Sequence, residues 1–76
     1  MKVILLVEKM HNSHLWGRTS KLGQSFVTGY GQDMESLLQN IRDSMLYFQA
    51  HKATGDPFWR GLDIGEVEFE IRMKND

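Results

Sequence analysis

The chain has 76 residues with a net charge of −1, nine basic side chains against ten acidic ones, and no cysteine. A chain of this length forms one domain that buries only about 60% of its unfolded surface, so association with a second chain would add stability. The absence of cysteine excludes disulfides and thiolate metal sites and fits a reducing cytosol. The balanced charge lacks the basic surplus that is typical of nucleic-acid-binding proteins.

The first predicted element is a strand over residues 2–8, KVILLVE. Alternate side chains of a strand point to opposite faces. Both sets are apolar here: Val3, Leu5 and Val7 on one face, and Ile4 and Leu6 on the other. Such a strand is typical of the middle of a sheet that is covered on both sides. The apolar run is too short to span a bilayer or to form a signal sequence, so we expect a cytoplasmic protein with no membrane contact.

Two further strands are predicted before the first helix. Residues 15–19 and 25–30 have the composition of strands, and the polar, glycine-containing stretch 21–24 between them suits a hairpin connection. Gly29 and Gly31 follow within and after the third strand. Glycines there predict a bend that redirects the chain from the sheet into the helix.

The spacing of apolar residues from Asp33 to His51 predicts one long amphipathic α-helix. Asp33 is placed to cap its start, and His51 suits the negative end of the helix dipole. Gly55 and Pro57 follow soon after, as expected beyond a helix end. The inward stripe consists of Met34, Leu37, Leu38, Ile41, Met45 and Phe48.

The segment 53–65 has no clear periodicity and is predicted to be an irregular connection, unusually long for a compact domain. Residues 66–72, EVEFEIR, predict a fourth strand whose apolar side chains face inward and whose three glutamates face water. We expect Phe69 of this strand to be buried in the core together with Ile41 of the helix.

The predicted order is β-β-β-α-β, an α+β fold in a single domain over residues 1–76. The first three strands form an antiparallel meander, and a right-handed crossover through the helix places the fourth strand parallel to the first. The result is a four-stranded mixed sheet in the order 3-2-1-4 with one helix packed on one face. One helix covers one face only, so the pattern leaves open which apolar set of the first strand is uncovered.

No residue pattern predicts a catalytic or metal site. His11 and His14 are three residues apart, but they lie on a turn without a cluster of carboxylates or cysteines, so we interpret them as exposed histidines. No serine stands in a Gly-x-Ser-x-Gly elbow, and Gly29-Tyr30-Gly31 lacks the third glycine of a phosphate-binding loop. We therefore expect no cofactor, no metal and no enzymatic activity.

Six aromatic residues are candidates for an interface with a partner or a second copy, where Trp and Tyr are enriched. They are Trp16, Phe26, Tyr30, Tyr47, Phe58 and Trp59. The other interpretation is that the 53–65 segment folds back and packs Phe58 and Trp59 over the flanks of the helix. The sequence alone leaves both interpretations open.

The chain also resembles the HicB family of antitoxins from bacterial toxin–antitoxin pairs. The resemblance lies in the opening MKVILLVEK, in VTGYGQDMESLLQNIRDSMLYF and in the closing VEFEI. The matching positions are Gly29, Gly31, Asp33, Met34, Glu35, Leu38, Ile41 and Phe48. The resemblance implies a truncated ribonuclease-H-like domain of the same β-β-β-α-β order. It also implies a role in binding and blocking a small ribonuclease toxin, as a dimer or a larger assembly.

The leading functional hypothesis is therefore a non-enzymatic interaction module that forms a homodimer and binds a toxin protein. One alternative is a ribonuclease-H-like nuclease, which needs several carboxylates around two divalent metals. One of them usually stands in the middle of the first strand, where this chain has Ile4-Leu5-Leu6. Another is a sheet that binds nucleic acid by stacking bases on its aromatic side chains. Many HicB proteins carry a DNA-binding module after this domain, and because the chain ends before one, DNA binding is not expected.

Overall fold

The computed structural model describes residues 1–74. Its strands are β1 (Lys2–Lys9), β2 (Leu15–Thr19), β3 (Thr28–Gly31) and β4 (Glu68–Met73), and its helices are α1 (Met34–His51) and the short α2 (Pro57–Arg60). A 3₁₀ turn over Ile64–Glu66 precedes β4. The bounds of β2 and of α1 are those that the sequence predicts.

The four strands form one mixed sheet in the order β3-β2-β1-β4. Strand β1 pairs antiparallel with β2 and parallel with β4, and β2 pairs antiparallel with β3. The predicted α+β architecture and strand order are therefore confirmed. This order places β1 between two neighbours and leaves β3 and β4 as the edges of the sheet.

Helix α1 packs on one face of the sheet. The helix and the central strand each contribute three buried apolar side chains to this contact: Leu37, Ile41 and Met45 from α1, and Val3, Leu5 and Val7 from β1. Ile4 and Leu6 point away from the helix, and Leu6 is 39% exposed. The sequence left open which face the helix does not cover. In the structure it is the face that carries Ile4 and Leu6.

The helix lies unusually close to the β3 side of the sheet. A Cβ atom at Gly29 would stand 2.6 Å from the Cδ1 atom of Ile41 and 2.7 Å from the Oδ1 atom of Asn40. Gly29 and Gly31 both belong to β3, and neither has a positive φ. The two glycines therefore allow close contact between strand and helix. The predicted bend into the helix falls directly after them, at Gln32 and Asp33.

The 53–65 segment is more regular than predicted. It contains α2 and the start of the 3₁₀ turn. The indole of Trp59, which belongs to α2, is fully buried in the core. The side chain of Gln49 on α1 donates to the carbonyl oxygens of Trp59 and Leu62, at 2.7 and 2.8 Å. The prediction of an irregular connection is corrected, because contacts from α1 order a segment that has no periodicity of its own.

Two strands begin later than predicted. Strand β3 begins at Thr28 instead of residue 25, because the main chains of Leu22 and Ser25 form hydrogen bonds with each other and close a tight turn. Strand β4 begins at Glu68 instead of residue 66, because Glu66 belongs to the 3₁₀ turn.

Phe69 is only partly buried, contrary to the expectation that it lies in the core with Ile41. The guanidinium of Arg42 on α1 lies over the Phe69 ring, with its Cζ atom 5.0 Å from the ring centroid. The same guanidinium donates to the carbonyl oxygens of Ile64 and Val67, at 2.8 and 2.7 Å. Arg42 therefore fastens the helix to the chain that enters β4.

Replacing Asp33 by alanine should destabilise the start of α1. The Asp33 carboxylate accepts a hydrogen bond from the Ser36 amide at 2.8 Å, and this bond lowers the pKa of Asp33. Since the folded state favours the ionised carboxylate, its stabilisation is present at neutral pH and is lost as the pH falls through the lowered pKa. We expect Asp33→Ala to lower the Tm by a few degrees at pH 7, with a smaller difference in acid.

Asp33→Asn is the control, because asparagine keeps a capping oxygen but cannot titrate. It should melt close to the wild type. An alanine variant with an unchanged melting curve would mean that the helix does not depend on this cap.

Candidate functional site

The sheet face opposite α1 is one candidate surface. Residues directly opposed on paired strands point to the same face, so the strand register arranges their side chains in rows. From the row at the carboxyl end of β1 downward, these are Tyr30, Trp16 and Glu8; then Thr28, Arg18, Leu6 and Arg72; then Ile4 and Glu70; then Lys2 and Glu68. We call this surface the open sheet face.

Several apolar side chains of the open sheet face are accessible. Tyr30 is 44% exposed, Leu6 39% and Trp16 37%. Phe26 lies at the corner near β3, where the Cζ atom of Arg18 is 5.4 Å from its ring centroid. Charged side chains surround this apolar centre, which is the usual composition of a protein–protein interface.

Carboxylates share the open sheet face with the aromatic rings. Glu68 pairs in register with Lys2, and Glu70 with Ile4, so both glutamates point away from α1. Lys2, Arg18 and Arg72 lie on the same face, so its charge is balanced. The face therefore lacks the basic surplus that is typical of a nucleic-acid-binding surface.

A second candidate surface is a groove of about 550 Å³ between β3 and α1. We call it the edge groove, and its main lining residues are Phe26, Thr28, Asp43, Ser44, Tyr47 and Lys52. Phe26 and Tyr47 are 55% and 59% exposed, so the groove offers two aromatic rings to the surroundings.

Some main-chain N–H and C=O groups of β3 point away from β2, along the edge groove. Alternate residues of an antiparallel strand direct their N–H and C=O groups toward the neighbouring strand and away from it. The Tyr30 amide points away from β2, because it donates to the Oδ1 atom of Asn40 at 2.9 Å. Thr28, two residues earlier, therefore directs its N–H and C=O groups to the same outer edge.

The predicted interface residues divide between these surfaces. Trp16 and Tyr30 lie on the open sheet face, Tyr47 lines the edge groove, and Phe26 stands where the two meet. Phe58, on α2, is 36% exposed and lines neither surface.

The prediction that Trp59 belongs to an interface is wrong. It is fully buried, its ring centroid lies 4.8 Å from that of Phe48, and its Nε1 atom donates to the Leu22 carbonyl at 3.1 Å. Of the two interpretations of the 53–65 segment, folding back over the helix is right for Trp59. It leaves Tyr47 uncovered.

On one side of α1 the sequence predicted Tyr47 as part of a site but missed its polar neighbours Asn40 and Ser44. Asn40, Ser44 and Tyr47 recur at helical spacing and therefore share one side of the helix. That spacing was visible in the sequence. The position of this side along the edge of β3 was not, because it depends on how the helix docks.

Within residues 1–74, no three His, Asp, Glu or Cys side chains gather in a way that could hold a metal ion. His14 is half-buried rather than freely exposed, and its Nδ1 atom is hydrogen-bonded to the Tyr30 hydroxyl. In the same part of the chain, no helix has the length and apolar character needed to cross a membrane.

Comparison with known proteins finds no matching family model, no matching curated protein and no matching solved structure.

Proposed function

We propose that this chain is a non-enzymatic protein-interaction module of the antitoxin kind, which binds and neutralises a small ribonuclease through its edge groove. The resemblance to HicB antitoxins suggests the class of partner. The observation that carries the proposal is the edge groove itself, where two exposed aromatic rings flank the outward-pointing main-chain groups of Thr28 on an edge strand.

The edge groove has the features that anchor a protein partner. Exposed Tyr and Phe side chains bury a large area at small entropic cost, which is why such aromatics recur among interface hot spots. The outward N–H and C=O groups of Thr28 can pair with an extended segment of a partner, as in β-strand addition. Asn40 closes the edge at Tyr30, so such pairing would be confined to the part of β3 around Thr28.

The charge beside the groove suits a ribonuclease. Glu35 and Asp43 line a depression of about 480 Å³ next to Tyr30, and Asp33 caps the same end of α1. An enzyme that binds RNA presents basic side chains to the phosphates. An acidic helix end would attract that basic surface and would compete with RNA for it.

The test uses the protein encoded by the gene adjacent to this one, purified alone and together with the chain. We expect that protein to cleave RNA, and a molar excess of the chain to suppress the cleavage. Tyr47→Ala should weaken inhibition by about tenfold or more, as expected for a hot-spot aromatic. Leu46→Ala is the matched control, because Leu46 is 52% exposed on the same helix but does not line the groove.

Two results would contradict the proposal. One is a neighbouring protein that does not cleave RNA or that the chain does not inhibit; the other is a Tyr47→Ala variant that inhibits as well as the wild type. The non-enzymatic part is tested with the purified chain alone. Added Mg²⁺, Mn²⁺ or Zn²⁺ should leave its Tm unchanged and produce no cleavage of RNA or DNA, and hydrolysis that copurifies with the chain would refute it.

A further inference from the structure

The charges of the open sheet face reverse in sign along its strands. On β1 the outward side chains run basic, apolar, apolar and acidic: Lys2, Ile4, Leu6 and Glu8. On β4 and the residue after it they run acidic, acidic, basic and basic: Glu68, Glu70, Arg72 and Lys74. The parallel register aligns the two series, with Leu5 beside Ile71 at their common midpoint.

This pattern is complementary to itself under one symmetry operation. Consider a two-fold axis that lies between two stacked sheets, perpendicular to the strands and at the level of Leu5. The axis places each series over a reversed copy of itself. Four kinds of opposed pair result, each formed twice: Ile4 over Leu6, Lys2 over Glu8, Glu70 over Arg72, and Glu68 over Lys74. Along β1 and β4, no charge is opposed by a like charge.

We propose that the open sheet face binds a second copy of this chain, in an antiparallel face-to-face dimer centred on Ile4 and Leu6. To bind a different protein, the open sheet face would need only an apolar surface or charges of one sign. A reversal of charge about one level is what makes two identical faces complementary to each other. The inference goes beyond the proposed ribonuclease partner, because that partner would occupy the edge groove instead.

The dimer is of modest size. Only β1 and β4 extend to both sides of the axis, so only these two strands lie over their own copies. Two strands about 4.8 Å apart and seven residues of about 3.3 Å each give a patch of roughly 10 by 23 Å. Two such patches stay well below the roughly 1,200 Å² at which specific interfaces begin, in the size class of weak complexes. Trp16 and Tyr30 lie at the level of Glu8, beyond the overlap of the two copies. We therefore expect dissociation in the high micromolar range, which sedimentation at high concentration can detect.

The experiment is sedimentation equilibrium of the chain alone, at low salt, from low to high micromolar concentration. The mass should rise toward twice the 8.8 kDa of one chain. In E70R a copy carries two basic side chains at these positions, and in R72E it carries two acidic ones. Each variant alone opposes like charges twice across the axis, so we expect its dimer to weaken by about tenfold or more. An equimolar mixture of the two should regain wild-type association, because every opposed pair is then of opposite sign.

Rescue in the mixture separates the interface from effects within one chain. Glu70 and Arg72 form an ion pair at 2.8 Å within each copy, and both variants lose it whether alone or mixed. R60E is the matched control, because Arg60 is an exposed cation on α2, and it should leave association unchanged. A mass of 8.8 kDa at every concentration would overturn the proposal. So would a dimer that both face variants leave intact, or a mixture that associates no better than either variant alone.

Discussion

Trp59→Ala is expected to unfold this domain or to bring it close to unfolding. The indole is fully buried and closes the core between Phe48 of α1 and the turn at Leu22. Truncating a buried tryptophan to alanine costs about 3–5 kcal/mol, from lost burial and from the cavity that remains. A domain of this size has a total stability of only about 4–11 kcal/mol at the usual value per residue. The variant should therefore lose most of its cooperative thermal transition, measured by circular dichroism.

The second tryptophan supplies the control. Trp16 is 37% exposed on the open sheet face and leaves no core cavity, so Trp16→Ala should cost clearly less than Trp59→Ala and keep a cooperative transition. Trp59→Phe separates packing from hydrogen bonding, since it keeps most of the apolar volume but leaves the Leu22 carbonyl without its donor, at about 1–3 kcal/mol. A cooperative Trp59→Ala variant that melts with the wild type would show that the 53–65 segment does not close the core.

The parts of the fold that the sequence predicted correctly are those in which periodicity decides the structure. Alternation in KVILLVE and the helical spacing from Asp33 to His51 specify the central strand and the main helix. The right-handed crossover rule then leaves one strand order, and that order is the one observed. These signals are local, and the core that they build needs no other information.

The errors lie where tertiary contacts decide the structure. The 53–65 segment has no periodic spacing of apolar residues. It is held in place by the Gln49 side chain, which donates hydrogen bonds to its main chain, and by the buried side chain of Trp59, which no apolar pattern predicts to point inward. Phe69 alternates as a core residue should and packs against the core, but it is only partly buried, and the guanidinium of Arg42 lies over its ring. Hydrogen bonds from long polar side chains leave no periodic trace in a sequence.

The candidate surfaces were predictable only in part. Exposed aromatic residues could be named from the sequence, and five of the six are at least partly accessible. Their division into two surfaces depends on the strand register, which aligns β1 with β4 and opposes Trp16 to Tyr30. The reversal of charge on the open sheet face likewise appears only when residues about 66 positions apart are placed side by side, such as Lys2 and Glu68.

Gly31→Ala is expected to destabilise the domain by about 3 kcal/mol, the upper end of the usual cost of overpacking. A Cβ atom at this position would stand 2.8 Å from the Cα atom of Leu37 and from the carbonyl carbon of Ser36, and closer still to the Leu37 nitrogen. All three atoms belong to the backbone of α1. No side-chain rotation can relieve the clash, so the first turns of the helix would have to lift away from β3 and loosen the burial of Leu37.

Gly61→Ala is the matched control for this prediction. Gly61 follows α2 with a φ of −103°, and a Cβ atom there would meet no atom within 4 Å. Alanine fits that conformation and restricts the unfolded chain, so the control should be neutral or stabilising by about 0.4–1 kcal/mol. Urea unfolding of both variants, followed by circular dichroism, gives the two free energies on one scale. If Gly31→Ala unfolds at the same urea concentration as Gly61→Ala, α1 does not rest directly on β3, and the edge groove between them would have a different shape.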